Sequence, residues 1–397
     1  MKKIKLKSAV SYSKFRSNIK DLSIETYITT DNLLQNKLGV KIANSLPPNG
    51  DSFPKYKNGN ILVSNIRPYL KKIWYSNREG ICSSDILTFE TKSNFSSKFI
   101  YYNLFQDVFF EHMMKGAKGT KMPRGDKTQI LEFEIPDFSL SIQEKIAEFL
   151  STIDNKIQVN NKINDNLEAM AKTLYDYWFV QFDFPDANVK PYKTSGGKMV
   201  WNEELKREIP LDWEVTQLSE IANITMGQSP PGESYNENIN GTVFYQGCTD
   251  FGNRFPTIRK YTTSPTRFAE KGDILLSVRA PVGTMNIAKE DCCIGRGLAS
   301  LKSKDNCITY LFGVMINLKQ IFDRRNVDGT TFGSITKDDL FSLKVIKPSM
   351  EILNNFNSIV NPTFEKQNKL AEENQQLASL RDWLLPMLMN GQVKVQD

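Results

Sequence analysis

Arginines interleaved with aromatic rings and side-chain amides are the residues of this chain most suited to chemistry, and that chemistry is the recognition of a polyanion. The stretch NGNILVSNIRPYLKKIWYS (58–76) sets Arg67, Lys71 and Lys72 beside Tyr69, Trp74 and Tyr75. Such a mixture suits phosphate and base contact, although an edge strand kept soluble by lysines has the same composition. A second basic run, KGAKGTKMPRGDKT (115–128), collects Lys118, Thr120, Lys121 and Arg124 in a loop punctuated by glycine. Glycines let backbone N–H groups come close to phosphate oxygens, so this is either a solvated turn or a phosphate clamp. The later half of the chain supplies Arg254, Arg259, Arg279 and Arg296, with Gln228, Tyr245, Gln246, Thr330 and Thr331 as further candidates. Arginine reads guanine through two parallel hydrogen bonds, whereas lysine mainly neutralises phosphate.

Competing chemistries find little support. There is one histidine, His112, so a Ser/His/Asp triad or a histidine metal site would have to be built around that residue alone. The five cysteines, Cys82, Cys248, Cys292, Cys293 and Cys307, show no CxxC spacing and suit reduced thiols in a cytoplasmic protein. NPTF (361–364) superficially matches the motif by which DNA amino-methyltransferases hold their target, but no strand-linked glycine motif for S-adenosylmethionine accompanies it. Pro185, Asp186, Glu204 and Lys206 have a loose metal-nuclease spacing inside a Pro/Gly-rich stretch where such residues fall together by chance. GRGLAS (295–300) lacks the third glycine of a dinucleotide loop. The net charge of +6 permits a nucleic-acid partner without requiring one. No apolar run approaches the ~20 residues of a membrane span, and the basic start MKKIKLK has no apolar stretch behind it.

The elements that must position these residues are two long helices and two globular units. From Ser141 to about Trp178 a seven-residue period places Ile146, Ile153, Asn160, Leu167 and Leu174 in one row, with Leu150 and Ile157 widening it, and the end of the stretch is Trp178. Three residues later in each heptad come Phe149, Lys156, Ile163, Met170 and Tyr177, which predicts an apolar seam of about five heptads. At an offset of 210 the row recurs as Phe356, Thr363, Leu370, Leu377 and Leu384, followed by Ile359, Lys366, Glu373, Leu380 and Met387. Pro362 predicts that the second helix begins or kinks there. Asn160 at a core position penalises slipped registers, although Leu370 opposite cannot return its hydrogen bond. The units repeat as well. KGDILLSVRAPVG (271–283) matches NGNILVSNIRPYL (58–70), and GTTFGSITKDDL (329–340) matches GTKMPRGDKTQI (119–130) at the helix offset.

Duplication of this kind predicts a pseudo-symmetric chain of mixed α+β class. The expected order is a globular unit over 1–140 containing a helix from Ser97 to Met114, a central long helix over 141–182 and a linker over 183–210. A second globular unit over 211–348 and a distal long helix with the C-terminal tail over 349–397 follow. A helix of about 40 residues is ~60 Å long, enough for two modules on antiparallel helices to reach DNA one turn or somewhat more apart.

In order, MGQSPPGESYN (226–236), VFYQGCTDFG (243–252), KGDILLSVRAPVG and CIGRGLASL (293–301) resemble the recurring signatures of the specificity (S) subunits of type I restriction-modification enzymes. LEAMAKTLYDYWFVQFDFP and LASLRDWLLPMLMNGQVKV resemble that family's central and distal shared regions. The resemblance covers nearly the whole chain and is weaker in detail over 1–140. It implies a non-catalytic subunit with two target recognition domains, each reading half of an interrupted site in double-stranded DNA. The helices would set the spacer and hold two methyltransferase (M) subunits. It further implies S-adenosylmethionine and adenine methylation in the M subunits, ATP and Mg in the restriction (R) subunits that join to cut, and no cofactor in this chain. The rows Ile146, Ile153, Ile157, Leu167, Leu174, Trp178, Phe356, Leu370, Leu377 and Leu384 are the expected coiled-coil or partner-binding residues. The residues alone leave open a stand-alone DNA-modifying or DNA-cleaving enzyme and a purely structural coiled-coil scaffold.

Overall fold

A computed structural model describes residues 2–17, 23–47, 52–327 and 333–395, side chains of a few positions in 320–327 excepted. The chain divides into two compact units, residues 1–158 with 375–397, and residues 159–374. Each contains a part of both long helices.

The first unit is built on the strand Ile61–Ser64, which is buried along its whole length. A strand with both faces covered reads as a continuous apolar run rather than an alternating one. Ile61 and Val63 enter a core with Phe89, Phe99, Phe109 and Ile146, while Leu62 enters a second core with Ile28, Tyr56 and Cys82. Its sheet runs in the order Val10–Tyr12, Ile86–Thr91, Ile61–Ser64, Ile73–Tyr75, all antiparallel. A second four-stranded sheet contains Tyr27–Ile28 parallel to Gly80–Cys82. The helix expected from Ser97 to Met114 is two helices, Ser97–Phe105 and Asp107–Lys115. Gln106 between them is extended at φ −69°, ψ 148°, so the backbone ladder is interrupted there. Ser96 caps the first by accepting from the Phe99 amide.

The second unit repeats this plan. Ile274–Ser277 is buried throughout and lies in the sheet order Ala222–Met226, Leu298–Ser303, Ile274–Ser277, Met285–Ile287. Ile274 and Leu276 face one core and Leu275 another, as their counterparts do. Thr242–Tyr245 runs parallel to Cys292–Ile294. The stretch expected to be a linker is instead an ordered part of this unit. Met199–Asn202 pairs with Arg207–Pro210 in a hairpin, Phe184 stacks on Trp213 at 4.8 Å and on Tyr192 at 4.6 Å, and the Arg207 guanidinium lies 4.5 Å from the Phe182 ring centre. Prolines and glycines interrupt regular structure here without preventing burial, because the aromatic rings between them supply the apolar area.

The central helix spans Leu140–Tyr175 and continues into a π-helical turn at Asp176–Val180. That turn delivers both Trp178 and Phe179 to the core, where they meet Phe356 at 5.6 and 4.9 Å. The distal helix spans Met350–Met389 and passes through Pro362 rather than starting there. Within each unit the two helices run antiparallel. Asp154 meets Arg381 in the first, and Asn160 meets Glu373 and Asn374 while Asn164 meets Gln367 in the second.

The seam differs from the expected one in its second row. Ile146, Ile153, Asn160, Trp178, Phe356 and Leu370 are buried, and Ile157, Leu167, Leu174, Leu377 and Leu384 are half-buried. Their companions inward are Leu150, Asn164 and Ala171 on one helix and Leu353, Val360, Gln367 and Asn374 on the other, three residues before each member of the first row. Of the residues three after it, Phe149, Ile163, Met170 and Tyr177 with Ile359 and Leu380 are exposed, as are Lys156 and Lys366, whereas Glu373 and Met387 are half-buried. Both sides are compatible with a heptad, and an apolar count favoured the wrong one because the true companion row includes the polar Asn164, Gln367 and Asn374. Asn160, fully buried, donates to Glu373 and Asn374 at 2.9 Å each, so its partner is an amide and carboxylate pair rather than Leu370.

Candidate nucleic-acid interface

In each unit three loops converge at one edge of the buried strand, and the same backbone bonds hold them. In the first unit Ser83 N donates to Ile28 O (2.8 Å), Asn65 N to Asp85 O (2.8 Å) and Gly125 N to Asn65 O (3.1 Å). In the second, Gly295 N donates to Tyr245 O (2.8 Å), Val278 N to Gly297 O (2.9 Å) and Ile335 N to Val278 O (2.9 Å). A serine hydroxyl closes the turn in both, Ser64 to Ile66 O at 2.9 Å and Ser277 to Arg279 O at 2.8 Å. Isolated bridges complete the correspondence, Ile66 with Arg124 and Arg279 with Ser334.

On the first frame the basic loop folds back on the turn after Ser64. Arg67 N donates to Pro123 O at 2.8 Å, and Lys118 and Arg124 exchange backbone bonds at 2.9 Å. Arg67, Tyr69, Lys118, Thr120, Lys121 and Arg124 are all exposed. Arg124 leans on Asp85 at 3.0 Å and Lys118 lies 3.9 Å from Asp126, while Arg67 and Lys121 have no carboxylate partner among the described residues. Lys71 is drawn to Asp107 at 2.8 Å, a carboxylate that it shares with Lys37. A cation already matched in this way has less to gain from a phosphate.

The second frame carries two adjoining clefts of about 590 and 570 Å³ that share Arg296. One is lined by Arg279, Arg296 and Ser334, the other by Gln228, Ser229, Gln246 and Arg296. Ser229 links the side chains: Gln246 Nε2 donates to its Oγ at 2.8 Å, and Arg296 Nε approaches the same oxygen at 3.4 Å. Close packing of glycine makes this possible. A Cβ on Gly227 would lie 2.2 Å from Gly295 O, and one on Gly295 would lie 3.0 Å from Gln246 Cα. Neither Arg279 nor Arg296 has a carboxylate partner among the described residues, and both are exposed. Nothing in the motif MGQSPPGESYN marks Ser229 apart from its neighbours; only the fold shows that its hydroxyl bridges two candidate readers.

Two expected site residues, Arg254 and Tyr245, are turned away from the exposed edge. Arg254 is half-buried against the distal helix, donating to Asn368, to Gln367 at 3.2 Å and to Phe364 O at 3.4 Å, with its guanidinium 4.1 Å from the Phe364 ring centre. Burial pulls its pKa down to about 10, partly offset by Glu168. Tyr245 is buried with its hydroxyl unpartnered, and burial pushes that phenol well up. Thr330 and Thr331 lie outside the described residues. Arg259 is exposed but tied to Asp250. His112 is structural, its Nε2 2.8 Å from Gln129 O. No helix among the described residues is long and apolar enough to cross a membrane.

Comparison with known proteins adds to this geometry. The family model for the type I restriction modification DNA specificity domain matches residues 3–169 and again 210–376. A putative type I restriction enzyme MjaX specificity subunit of Methanocaldococcus jannaschii is 34% identical over 275 residues, 68% of this chain and 62% of the relative. The chain thus matches less than two thirds of that relative's length. The type I restriction enzyme HindI specificity subunit of Haemophilus influenzae is 24% identical over 439 aligned residues, covering 92% of this chain and 94% of the relative. The crystal structure of a type I restriction-modification system S subunit from M. genitalium shares the fold, with a TM-score of 0.57 at 19% identity over 98% of this chain and 96% of that one.

Proposed function

This chain belongs to the type I restriction-modification DNA specificity family, and from that premise we propose that it is the sequence-specificity subunit of a type I restriction-modification complex. It is non-catalytic. Each globular unit reads one half of an interrupted target in double-stranded DNA. The observation that carries the reading is the repeated three-loop frame, which in each unit presents exposed arginines at one edge, Arg67, Arg279 and Arg296 among them with no carboxylate partner among the described residues. Guanidinium groups in that state suit both phosphate neutralisation and bidentate reading of guanine.

The two long helices set the spacer and hold two M subunits. Support for this comes from the outward row Phe149, Ile163, Met170 and Tyr177 with Ile359, Leu380 and Trp383, which leaves large apolar side chains on the helices in water. Apolar surface of that kind marks a protein interaction site. On this reading adenine methylation, with S-adenosylmethionine, belongs to the M subunits. ATP and Mg belong to the R subunits, this chain brings no cofactor, and the assembly works in the cytoplasm.

The test is a genome-wide map of methylated adenines in cells carrying the cognate M subunit, with and without this chain. An interrupted motif that appears only with the chain is the expected result. An unchanged map, with the M subunit shown to be active alongside another specificity subunit, would refute the proposal.

A further inference from the structure

The two frames superpose in their bonding yet differ in what they display. Pairing register fixes the equivalences: Ser64 opposes Ile86 as Ser277 opposes Leu298, and Tyr27 opposes Ile81 as Phe244 opposes Cys293. Counting from these pairs, Ile66 matches Arg279, Arg67 matches Ala280, Ser84 matches Arg296 and Thr29 matches Gln246. The bonds of Gly125 and Ile335 likewise match Arg124 to Ser334. Framework positions keep their role across the units. Ser64 and Ser277 close the same turn, and Lys57 N is accepted by Asn60 as Glu270 N is by Asp273. The edge positions do not. The first unit places arginine at 67 and 124, the second at the two other places, 279 and 296, and each unit has a small or apolar residue where its sibling has the cation.

Resting on the reading above, we propose that the frame positions 67/280, 84/296 and 124/334 with 29/246, and position 279 of the second unit, whose counterpart Ile66 is buried, are the base-reading positions of the chain, and that the placement of arginine among them sets each half-site. A phosphate contact would be needed equally by both units, since the backbone of DNA is the same under each, and would keep its cation at one frame position. A cation that moves from place to place on a constant frame tracks something that differs between the half-sites, which is the base sequence. In the second unit Arg296 and Gln246 are held over one cleft by Ser229. A guanidinium and an amide so fixed suit guanine and adenine respectively, the two bases whose major-groove edges each accept a bidentate side chain. Ser229 is a positioning residue in this arrangement.

The experiment is the methylation map of the full complex carrying Arg296→Ser with Ser334→Arg, which gives the second unit its sibling's arrangement at two positions. Both side chains already exist on the same frame in this chain, so the exchange is sterically provided for. The expected result is a changed base preference in the half-site of the second unit, by about 5- to 150-fold at the positions concerned, with the other half-site and the spacer untouched. Arg296→Ser alone, which only removes an exposed side chain, should relax one position of that half-site, and Ser229→Ala should relax the same position less. An unchanged motif, or equal weakening over all sequences with a shallower salt dependence, would overturn the assignment. Absence of any motif with the wild-type chain would instead sink the functional reading on which it rests.

Discussion

Replacing Arg254 by alanine should weaken the fold of the second unit and leave DNA recognition electrostatics almost untouched. The guanidinium joins the loop after Phe251 to the distal helix through Gln367, Asn368 and the Phe364 carbonyl, and covers the Phe364 ring. Hydrogen bonds from a charged donor contribute about 1.5–3 kcal/mol each, and a desolvated cation over a ring about 1–2 kcal/mol. Against this stands the cost of burial, which pulls the pKa down to about 10 and corresponds to roughly 3 kcal/mol. Two good bonds and the ring contact less that cost leave a net loss of about 2 kcal/mol for Arg254→Ala, with the buried Gln367 losing a partner as well. Arg254→Lys should recover little, since an ammonium cannot serve three acceptors in the plane of a fork. Urea unfolding of the full chain reads the effect as a lower midpoint at constant slope. A normal midpoint together with a DNA-binding salt slope reduced by about one would show that Arg254 contacts phosphate instead.

Three further outcomes follow from the same reasoning. Asp154 accepts from Tyr102 at 2.7 Å and from Arg381 at 2.8 Å, with both members of the ion pair mostly buried; Asp154→Ala should cost about 3 kcal/mol, less than the extreme because Arg381 keeps Asp382, and an unfolding midpoint within error of wild type would contradict this. Burial holds the Asp273 carboxyl above its ordinary pKa, with the Ser300 hydroxyl and the Glu270 amide working the other way. The folded state therefore keeps this proton at pH values where the unfolded chain has released it, so stability at this site is full below the ordinary carboxylate range and declines as pH rises through the raised value. Asp273→Asn, the residue its counterpart Asn60 already supplies, should be the more stable form at neutral pH and lose that advantage in acid; an advantage that persists in acid would argue against the carboxyl as its cause. Finally, one heptad inserted into both long helices adds ~10.5 Å of helix, about three base pairs at 3.4 Å each. The mapped motif should widen by about that number with both halves intact, and an unaltered spacer would remove the helices from that role.

The duplication, the existence of two long helices and the basic loops were legible in the sequence because each rests on local pattern. Heptad spacing, glycine punctuation and matching strings such as NILVSNIRP and DILLSVRAP survive without knowledge of neighbours. What the sequence left undetermined were facts about which neighbour a side chain meets. Arg254 and Arg296 are chemically identical and both sit in loops, yet one is half-buried and packed on Phe364 and the other is exposed beside Ser229. Only long-range contacts separate them. The companion row that packs inward contains Asn374, which accepts from the Asn160 amide, and Gln367, which donates to the Asn164 backbone carbonyl, polar partners that hydrophobic counting ranks last. The stretch 183–210 looked like a tether because Pro and Gly break local order, whereas Phe184, Tyr192 and Trp213 stack once the fold brings them together. Local periodicity thus determined the architecture, and tertiary packing decided which cations are free to meet DNA, because desolvation and pairing depend on atoms far away in the chain.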